Sequence, residues 1–147
     1  MVKINPKVFT YKVKSRWIAD KIVLLEAEGK PSLEVATPPD FGGPEGVWSP
    51  EDLFVSSVNI CILTTFLFFA QRQNVKFLSY QTEAEGTVEM VEGVLMFTRV
   101  IVRPIIEVED QQTAAAIQQT LEKAEKYCLI SSSVKTQVTV EPQVLIR

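Results

Sequence analysis

The feature that most constrains this chain is an uncharged stretch of eighteen residues, from Leu53 to Ala70. An apolar stretch of this length reaches the threshold for a transmembrane helix. However, serine, asparagine and threonine side chains interrupt it, and no polybasic segment follows it. A helix that is apolar on every side can equally form the buried centre of a soluble protein or of an oligomer. We therefore predict a soluble protein, with no membrane partner, that is built around this helix.

The residues before the uncharged stretch predict where its helix begins. Ser49 is a favourable N-cap, Pro50 suits the first helical position, and Asp52 completes a capping box. The preceding segment, residues 37–46, holds three of the eight prolines and three of the six glycines, which is typical of a loop. We expect a central helix over residues 49–73.

Periodic patterns on both sides of this helix predict an α+β fold, in a single domain over residues 1–147. Period-two alternation favours a β meander within residues 1–41, beginning with a strand from Val8 to Arg16. Asp110 is a favourable cap for a second helix, whose apolar residues recur at spacings of three and four. The expected elements after the central helix are a β hairpin over 77–108, a helix over 110–128 and a final strand over 134–146.

Composition excludes several classes of function. The chain has 15 basic and 18 acidic residues, and its formal charge of −3 offers no basic field for nucleic acid. The lack of histidine excludes Ser-His and Cys-His catalysis, and the cysteines and carboxylates do not have the clustered spacing of a metal site. The N-terminal residues lack the apolar region of a secretory signal, which favours a cytoplasmic location.

The two cysteines are the main candidates for chemistry, although each has a simpler interpretation. Cys61 lies inside the uncharged helix, where a thiol can be a small core residue. Cys128 continues the apolar stripe of the second helix, where packing alone would account for it. A peroxide-oxidised cysteine can be resolved as a disulfide by a second thiol, provided that the Cα atoms come within about 7 Å.

Glu51 is the third candidate, although the helix dipole alone favours an acidic residue in the first turn of a helix. Ten residues separate Glu51 from Cys61, which places them about 15 Å apart along a continuous helix. If both residues serve one reaction, they must come from different subunits, with the central helices antiparallel across a two-fold axis.

These residues give the chain a pattern that resembles the OsmC/Ohr family of thiol-dependent peroxidases, from about Gly42 to Val140. The matching pieces are Gly42-Gly43 before Ser49-Pro50-Glu51-Asp52-Leu53-Phe54, a cysteine ten residues after the glutamate, and Glu125-Lys126-Tyr127-Cys128 before Ile130-Ser131. The resemblance implies an OsmC-like fold, in which antiparallel sheets pack around two long central helices in an intertwined homodimer.

The resemblance also implies a reaction and a role for each candidate residue. Cys61 would attack an organic hydroperoxide and become a sulfenic acid, and Cys128 would condense with it to form a disulfide. No cofactor is expected to be bound. An external dithiol would reduce the disulfide, and in the Ohr branch of the family this dithiol is lipoyl-linked. Glu51, together with Arg16 from the partner subunit, would tune the site.

The chain departs from the family pattern at two positions that matter for chemistry. Peroxidase members use an arginine to stabilise the thiolate, but here no arginine lies between Trp17 and Gln71, which leaves Arg16 as the candidate. Arg16 can also be a plain cation at the end of a strand. Leu129 replaces the proline that follows the second cysteine in many members. The alternative function is therefore a non-catalytic OsmC-like dimer that binds a small apolar ligand or senses redox state.

Overall fold

Strands and helices are both present, as in the predicted α+β fold. The structure is a computed structural model that describes residues 7–147. The chain divides into two compact units, one ending at Leu53 and the other spanning Phe54–Arg147, and the predicted single domain stays a prediction. The elements in chain order are β1 (Lys14–Ala19), β2 (Ile22–Glu26), β3 (Leu33–Ala36), α1 (Pro50–Arg72), β4 (Ser79–Val91), β5 (Val94–Val108), α2 (Gln111–Tyr127), α3 (Leu129–Ser132), β6 (Gln137–Val140) and β7 (Gln143–Ile146).

The first unit contains an antiparallel meander with the strand order β1-β2-β3. Arg16 of β1 lies opposite Leu24 of β2. The predicted bounds of the first strand, Val8 to Arg16, are wrong, because β1 begins at Lys14. Residues 7–13 are exposed, and no strand in the described part of the chain pairs with them. Alternation of side chains produces a strand only where a neighbouring backbone accepts and donates hydrogen bonds.

The loop after β3 folds back on itself around two glycines. A short 3₁₀ helix, Pro39–Phe41, ends at Gly42, whose φ of 82° lies in the left-handed region. A Cβ atom on Gly43 would overlap the carbonyl group of Thr37, so only glycine allows this close approach of two backbones. The loop then returns to β3, where the N–H of Ala36 donates to the carbonyl of Trp48 at 2.8 Å.

The capping box that the sequence predicts is present at the start of α1. The Asp52 N–H donates to the Ser49 Oγ at 3.1 Å, and the Ser49 N–H donates to the Asp52 Oδ2 at 2.9 Å. From this cap the helix runs without a break to Arg72. Judged by length and composition alone, α1 is long and apolar enough to cross a bilayer, a property that it shares with core helices of soluble proteins.

The second unit is built on the long β4–β5 hairpin, whose turn residues Glu92 and Gly93 have φ values of 48° and 82°. Two positive φ values are typical of a type I′ hairpin turn. The predicted final strand over 134–146 is instead two strands, β6 and β7, which both run parallel to β5. Pro142 lies between them and has no N–H group to donate, which separates the two pairings.

The helix predicted over 110–128 ends one residue earlier than expected. Its cap agrees with the prediction, since Asp110 accepts a hydrogen bond from the Thr113 N–H at 2.7 Å. However, α2 ends at Tyr127, and Cys128 has an extended backbone (φ −64°, ψ 114°) before α3 begins. Cys128 is therefore a junction between two helices and not the last turn of one.

Two core clusters of fully buried residues hold the second unit together. They share α1, whose buried residues recur every four positions and form one stripe. The first cluster contains Phe66, Ala70, Ile106, Val108, Ile117, Leu121 and Ala124, and the second contains Val58, Ile62, Val100, Val102 and Cys128. Cys128 thus belongs to the core that residues of α1 and β5 form.

Candidate active site

The second core cluster brings the two cysteines together. Cys61 is half-buried and packs against this cluster, while Cys128 is a fully buried member of it with 0% of its surface exposed. Both residues are free thiols in the structure. The junction between α2 and α3 thus places a buried thiol next to a thiol that is still accessible from outside.

The sulfur of Cys61 lies among several hydrogen-bond donors. Burial by itself would raise the pKa of this thiol. Four hydrogen bonds together outweigh the effect of burial and lower the pKa of Cys61 below its ordinary value. They involve the Ile130 N–H, the Cys128 thiol, the Thr65 hydroxyl and the Leu129 N–H. The Thr65 Oγ1 lies 3.9 Å from the Cys61 Sγ.

The thiol of Cys128 is shifted in the opposite direction. Burial raises the pKa of Cys128, and the hydrogen bond to Cys61 and the negative charge on that neighbour raise it further. Hydrogen bonds with Ser131 oppose this shift but do not cancel it. As the pH rises, this pair therefore loses its first proton from Cys61, while Cys128 keeps its proton longer.

The two neighbouring thiols have the chemistry of a nucleophile and a resolving thiol. A thiolate is the nucleophilic form of cysteine, and a half-buried sulfur can meet a small molecule from outside. A protonated thiol next to it can attack a sulfenic acid formed on Cys61 and close a disulfide. The other side chains packed with Cys61 in this cluster are apolar, and they include Phe54, Val55, Ala84, Val138 and Val140.

Glu51 lies in the first turn of α1, within the first unit. Its Oε2 atom is buried, and no hydrogen-bond donor reaches it among residues 7–147. A buried carboxylate oxygen without a donor carries a desolvation cost, so it is a site where a donor from outside the chain would be stabilising.

Arg16 lies in β1, where every residue of the strand is exposed. No ion pair joins Arg16 to Glu51 in the described part of the chain. Within one chain, the structure therefore brings Cys61 and Cys128 together but does not pair Arg16 with Glu51.

The groups that lower the pKa of Cys61 were not predicted from the sequence. The sequence carries one signal for Thr65, since residues four apart lie on the same face of a helix. The N–H groups of Leu129 and Ile130 have no such signal, because their direction depends on the backbone break at Cys128.

The comparison with known proteins agrees with the predicted fold. A family model described as OsmC-like protein matches residues 43–143. The uncharacterized protein YmaD of Bacillus subtilis (strain 168) is 22% identical over 116 residues, which is 77% of this chain and 77% of YmaD.

Two solved structures have a similar architecture. VCA0330 of Vibrio cholerae, described as an OsmC-like protein of unknown function, has a TM-score of 0.82 at 21% identity and covers 92% of this chain and 99% of its own. An organic hydroperoxide resistance protein OsmC from Legionella pneumophila has a TM-score of 0.73 at 22% identity and covers 96% and 100%. Likeness at this identity shows the fold alone. The family match spans more than half of the sequence, and the chain therefore belongs to the OsmC-like protein family.

Proposed function

We propose that this protein is a thiol-dependent peroxidase that reduces organic hydroperoxides, with Cys61 as the nucleophile and Cys128 as the resolving thiol. The observation that carries the proposal is the contact between two thiols whose pKa values are shifted in opposite directions. The name of the Legionella pneumophila relative, an organic hydroperoxide resistance protein, supports the substrate class.

The reaction has three balanced steps. The Cys61 thiolate attacks one peroxide oxygen, the O–O bond breaks, and the alkoxide leaves and takes up a proton as an alcohol. The Cys128 thiol then attacks the sulfur of the Cys61 sulfenic acid, which forms a disulfide and releases water. Finally, an external dithiol, lipoyl-linked in this proposal, reduces the disulfide and is itself oxidised. This cycle fits a cytoplasmic protein, because that compartment keeps thiols reduced.

The working unit in this proposal is a homodimer, in which Glu51 and Arg16 of one subunit act at the cysteines of the other. Two observations support it. The Glu51 Oε2 is buried without a donor among the described residues, and Arg16 is exposed. In addition, α1 keeps large apolar side chains exposed at Ile60, Leu67 and Phe68, which a second subunit would cover.

The experiment that tests the function compares three reduced proteins treated with cumene hydroperoxide and analysed by intact mass. The wild type should lose the mass of two hydrogens. The Cys128→Ser variant should accumulate a sulfenic or more highly oxidised Cys61, and the Cys61→Ser variant should not react. Slow oxidation that hydrogen peroxide reproduces equally in all three proteins would overturn the proposal.

One observation favours the second candidate, an OsmC-like dimer that binds a small apolar ligand or senses redox state. Every group that lowers the pKa of Cys61 is neutral, and no cationic side chain acts on it in the described chain. A non-catalytic dimer would bind an apolar fluorescent probe with the same affinity before and after Cys61→Ser, and it would not consume peroxide.

A further inference from the structure

Two aromatic rings pack together on the surface near the thiol pair. Phe69 of α1 and Tyr127 of α2 lie with 5.7 Å between their ring centroids. Phe69 is half-buried, whereas Tyr127 is 58% exposed and directly precedes Cys128. Phe69 follows Cys61 by eight residues, which is about 12 Å along the helix. The helix that carries Cys61 and the helix that leads to Cys128 therefore each contribute one ring.

Two lysines of α2 lie over these rings. The Lys123 Nζ is 5.9 Å from the ring centroid of Phe69, and the Lys126 Nζ is 5.2 Å from that of Tyr127. These distances are typical of cation–π contacts. Both lysines are exposed, and neither forms an ion pair within the part of the chain that the structure describes. We call Phe69, Tyr127, Lys123 and Lys126 the aromatic–lysine patch.

The positive charge of the aromatic–lysine patch is not neutralised by its neighbours on α2. Glu122 and Glu125 each precede one of the lysines, but adjacent residues of a helix do not face each other. A third cation, Arg72, lies 5.8 Å from the ring of Phe68 at the edge of the patch. The chain as a whole has a formal charge of −3. An acidic partner would therefore be attracted to this patch and repelled by the chain's overall charge.

We propose that the aromatic–lysine patch is the docking surface for an acidic segment of a partner protein, and that this partner carries the dithiol which reduces the Cys61–Cys128 disulfide. What the partner carries rests on the proposed function, whereas the docking does not. Carboxylates of the segment would pair with Lys123 and Lys126, and its apolar groups would cover the exposed ring of Tyr127. Charge complementarity of this kind acts mainly on the rate of association and on the choice of partner.

Docking near the thiol pair would bring the dithiol to the accessible sulfur. One thiolate of the carrier attacks the half-buried sulfur of Cys61, the disulfide bond breaks, and Cys128 leaves and takes up a proton. The second thiol of the carrier then attacks the carrier sulfur of this mixed disulfide. That step closes the carrier's own disulfide and releases Cys61 as a thiol, so two electrons pass from the carrier to this protein.

Three synthetic peptides serve as probes of the docking surface. Each carries one dihydrolipoyl-lysine, and they differ only in the flanking residues, which are glutamates, serines or lysines. Two measurements are made with the whole protein. The first is the rate at which each peptide reduces protein that cumene hydroperoxide has oxidised. The second is the binding of a fluorescently labelled glutamate peptide to the reduced protein, followed by anisotropy.

The glutamate peptide should reduce the oxidised protein about tenfold faster than the serine peptide at low salt, because opposite charges steer association. About 0.5 M salt should abolish this advantage by screening. Lys123→Glu and Lys126→Glu should each remove most of it and should leave the rate with free dithiothreitol unchanged. Lys30→Glu makes the same change of charge at an exposed position between β2 and β3, so it is the matched control and should keep the advantage.

Several results would overturn the docking surface. One is an equal rate for all three peptides, and another is an advantage of the glutamate peptide that survives both charge reversals. A smaller mass of Lys123→Glu in light scattering would assign the patch to a contact between subunits. Binding of phosphatidylglycerol vesicles without binding of the glutamate peptide would assign it to a membrane. Either assignment would also overturn the proposal.

The outcome is separable from that of the peroxidase test. Binding of the glutamate peptide that Lys123→Glu abolishes, in a protein that does not consume cumene hydroperoxide, would uphold the docking surface and overturn the proposed function. Peroxide consumption with dithiothreitol, without any preference among the three peptides, would uphold the function and overturn the docking surface.

Discussion

The thiols of Cys61 and Cys128 lie next to each other and have opposite pKa shifts: burial and the neighbouring Cys61 raise the pKa of Cys128, whereas hydrogen bonds outweigh burial and lower the pKa of Cys61. The contact between these two thiols joins α1 to the junction between α2 and α3. In the sequence, the whole β4–β5 hairpin separates α1 from that junction. These opposite shifts make Cys61 the first of the two thiols to ionise, which suits a reaction with a nucleophile and a resolving thiol.

The two cysteines should differ in their reactivity towards alkylation. Because the pKa of Cys61 is lowered and that of Cys128 is raised, the thiolate forms first at Cys61 as the pH rises. Cys61 should therefore be labelled at lower pH and faster than Cys128, and its midpoint should lie below that of the same residue in urea-unfolded protein. Mass analysis of each labelled cysteine checks this, and faster labelling of Cys128 would contradict it.

Tyr80 should make the protein less stable at alkaline pH. Burial raises the pKa of Tyr80 to about 12, and its hydroxyl has no partner among the described residues. An unfolded tyrosine ionises near ~10. The stabilisation is therefore complete below that pH and is lost as the pH rises through the folded value. Denaturation by urea at a series of pH values measures the effect.

Tyr80→Phe should remove much of this alkaline dependence and raise the free energy of unfolding by about 1 kcal/mol at neutral pH, because an unsatisfied buried hydroxyl is lost. The control is Tyr127→Phe at an exposed ring, which should change stability by less than ~0.5 kcal/mol. A loss of stability in Tyr80→Phe would mean that the hydroxyl has a partner.

Phe66→Ala should lower the free energy of unfolding by about 3–5 kcal/mol. Phe66 is fully buried in the first core cluster, and its ring centroid lies 5.1 Å from that of Tyr80 and 5.4 Å from that of Phe77. Chemical denaturation measures the loss. Phe66→Leu keeps most of the side-chain volume and should lower the free energy of unfolding by clearly less. Equal losses in both variants would rule out a cavity as the cause.

Gly86→Ala should destabilise the protein by about 1–3 kcal/mol through overpacking. A Cβ atom at this position would lie 2.6 Å from the Val55 Cγ2 and 2.8 Å from the Phe97 ring. In a double-mutant cycle, adding Val55→Ala should recover part of the loss, because it removes the nearest contact. Strictly additive losses would show that the two residues do not meet.

Ile60→Glu should convert a dimer into a monomer if α1 forms the proposed interface. Ile60 is 54% exposed on α1, and a charge at a covered apolar position is costly. Light scattering after size-exclusion chromatography measures the mass. Ile146→Glu, at an exposed position of β7, is the matched control and should leave the mass unchanged. A monomeric wild type would contradict the proposed dimer itself.

Local sequence signals predicted the elements whose cause is local. The capping box of Ser49 and Asp52 and the cap at Asp110 require only side chains within three positions of each other. The hairpin turn at Glu92-Gly93 requires residues that accept a positive φ. The first strand was placed too early for the opposite reason, since the strand depends on pairing with β2 and not on its own alternation.

The sequence by itself determined the residue types of the candidate site and the length of the helix that carries Cys61, because both follow from identity and spacing along the chain. It did not determine which face of α1 is buried, since every face is apolar and only packing on β5 and α2 selects the stripe through Val58, Ile62, Phe66 and Ala70. Tertiary structure also decided that Cys128 and Ile130 pack in the same core cluster as Cys61. These contacts depend on a break in the backbone at Cys128 and on long-range packing, neither of which has a periodic signature in the sequence.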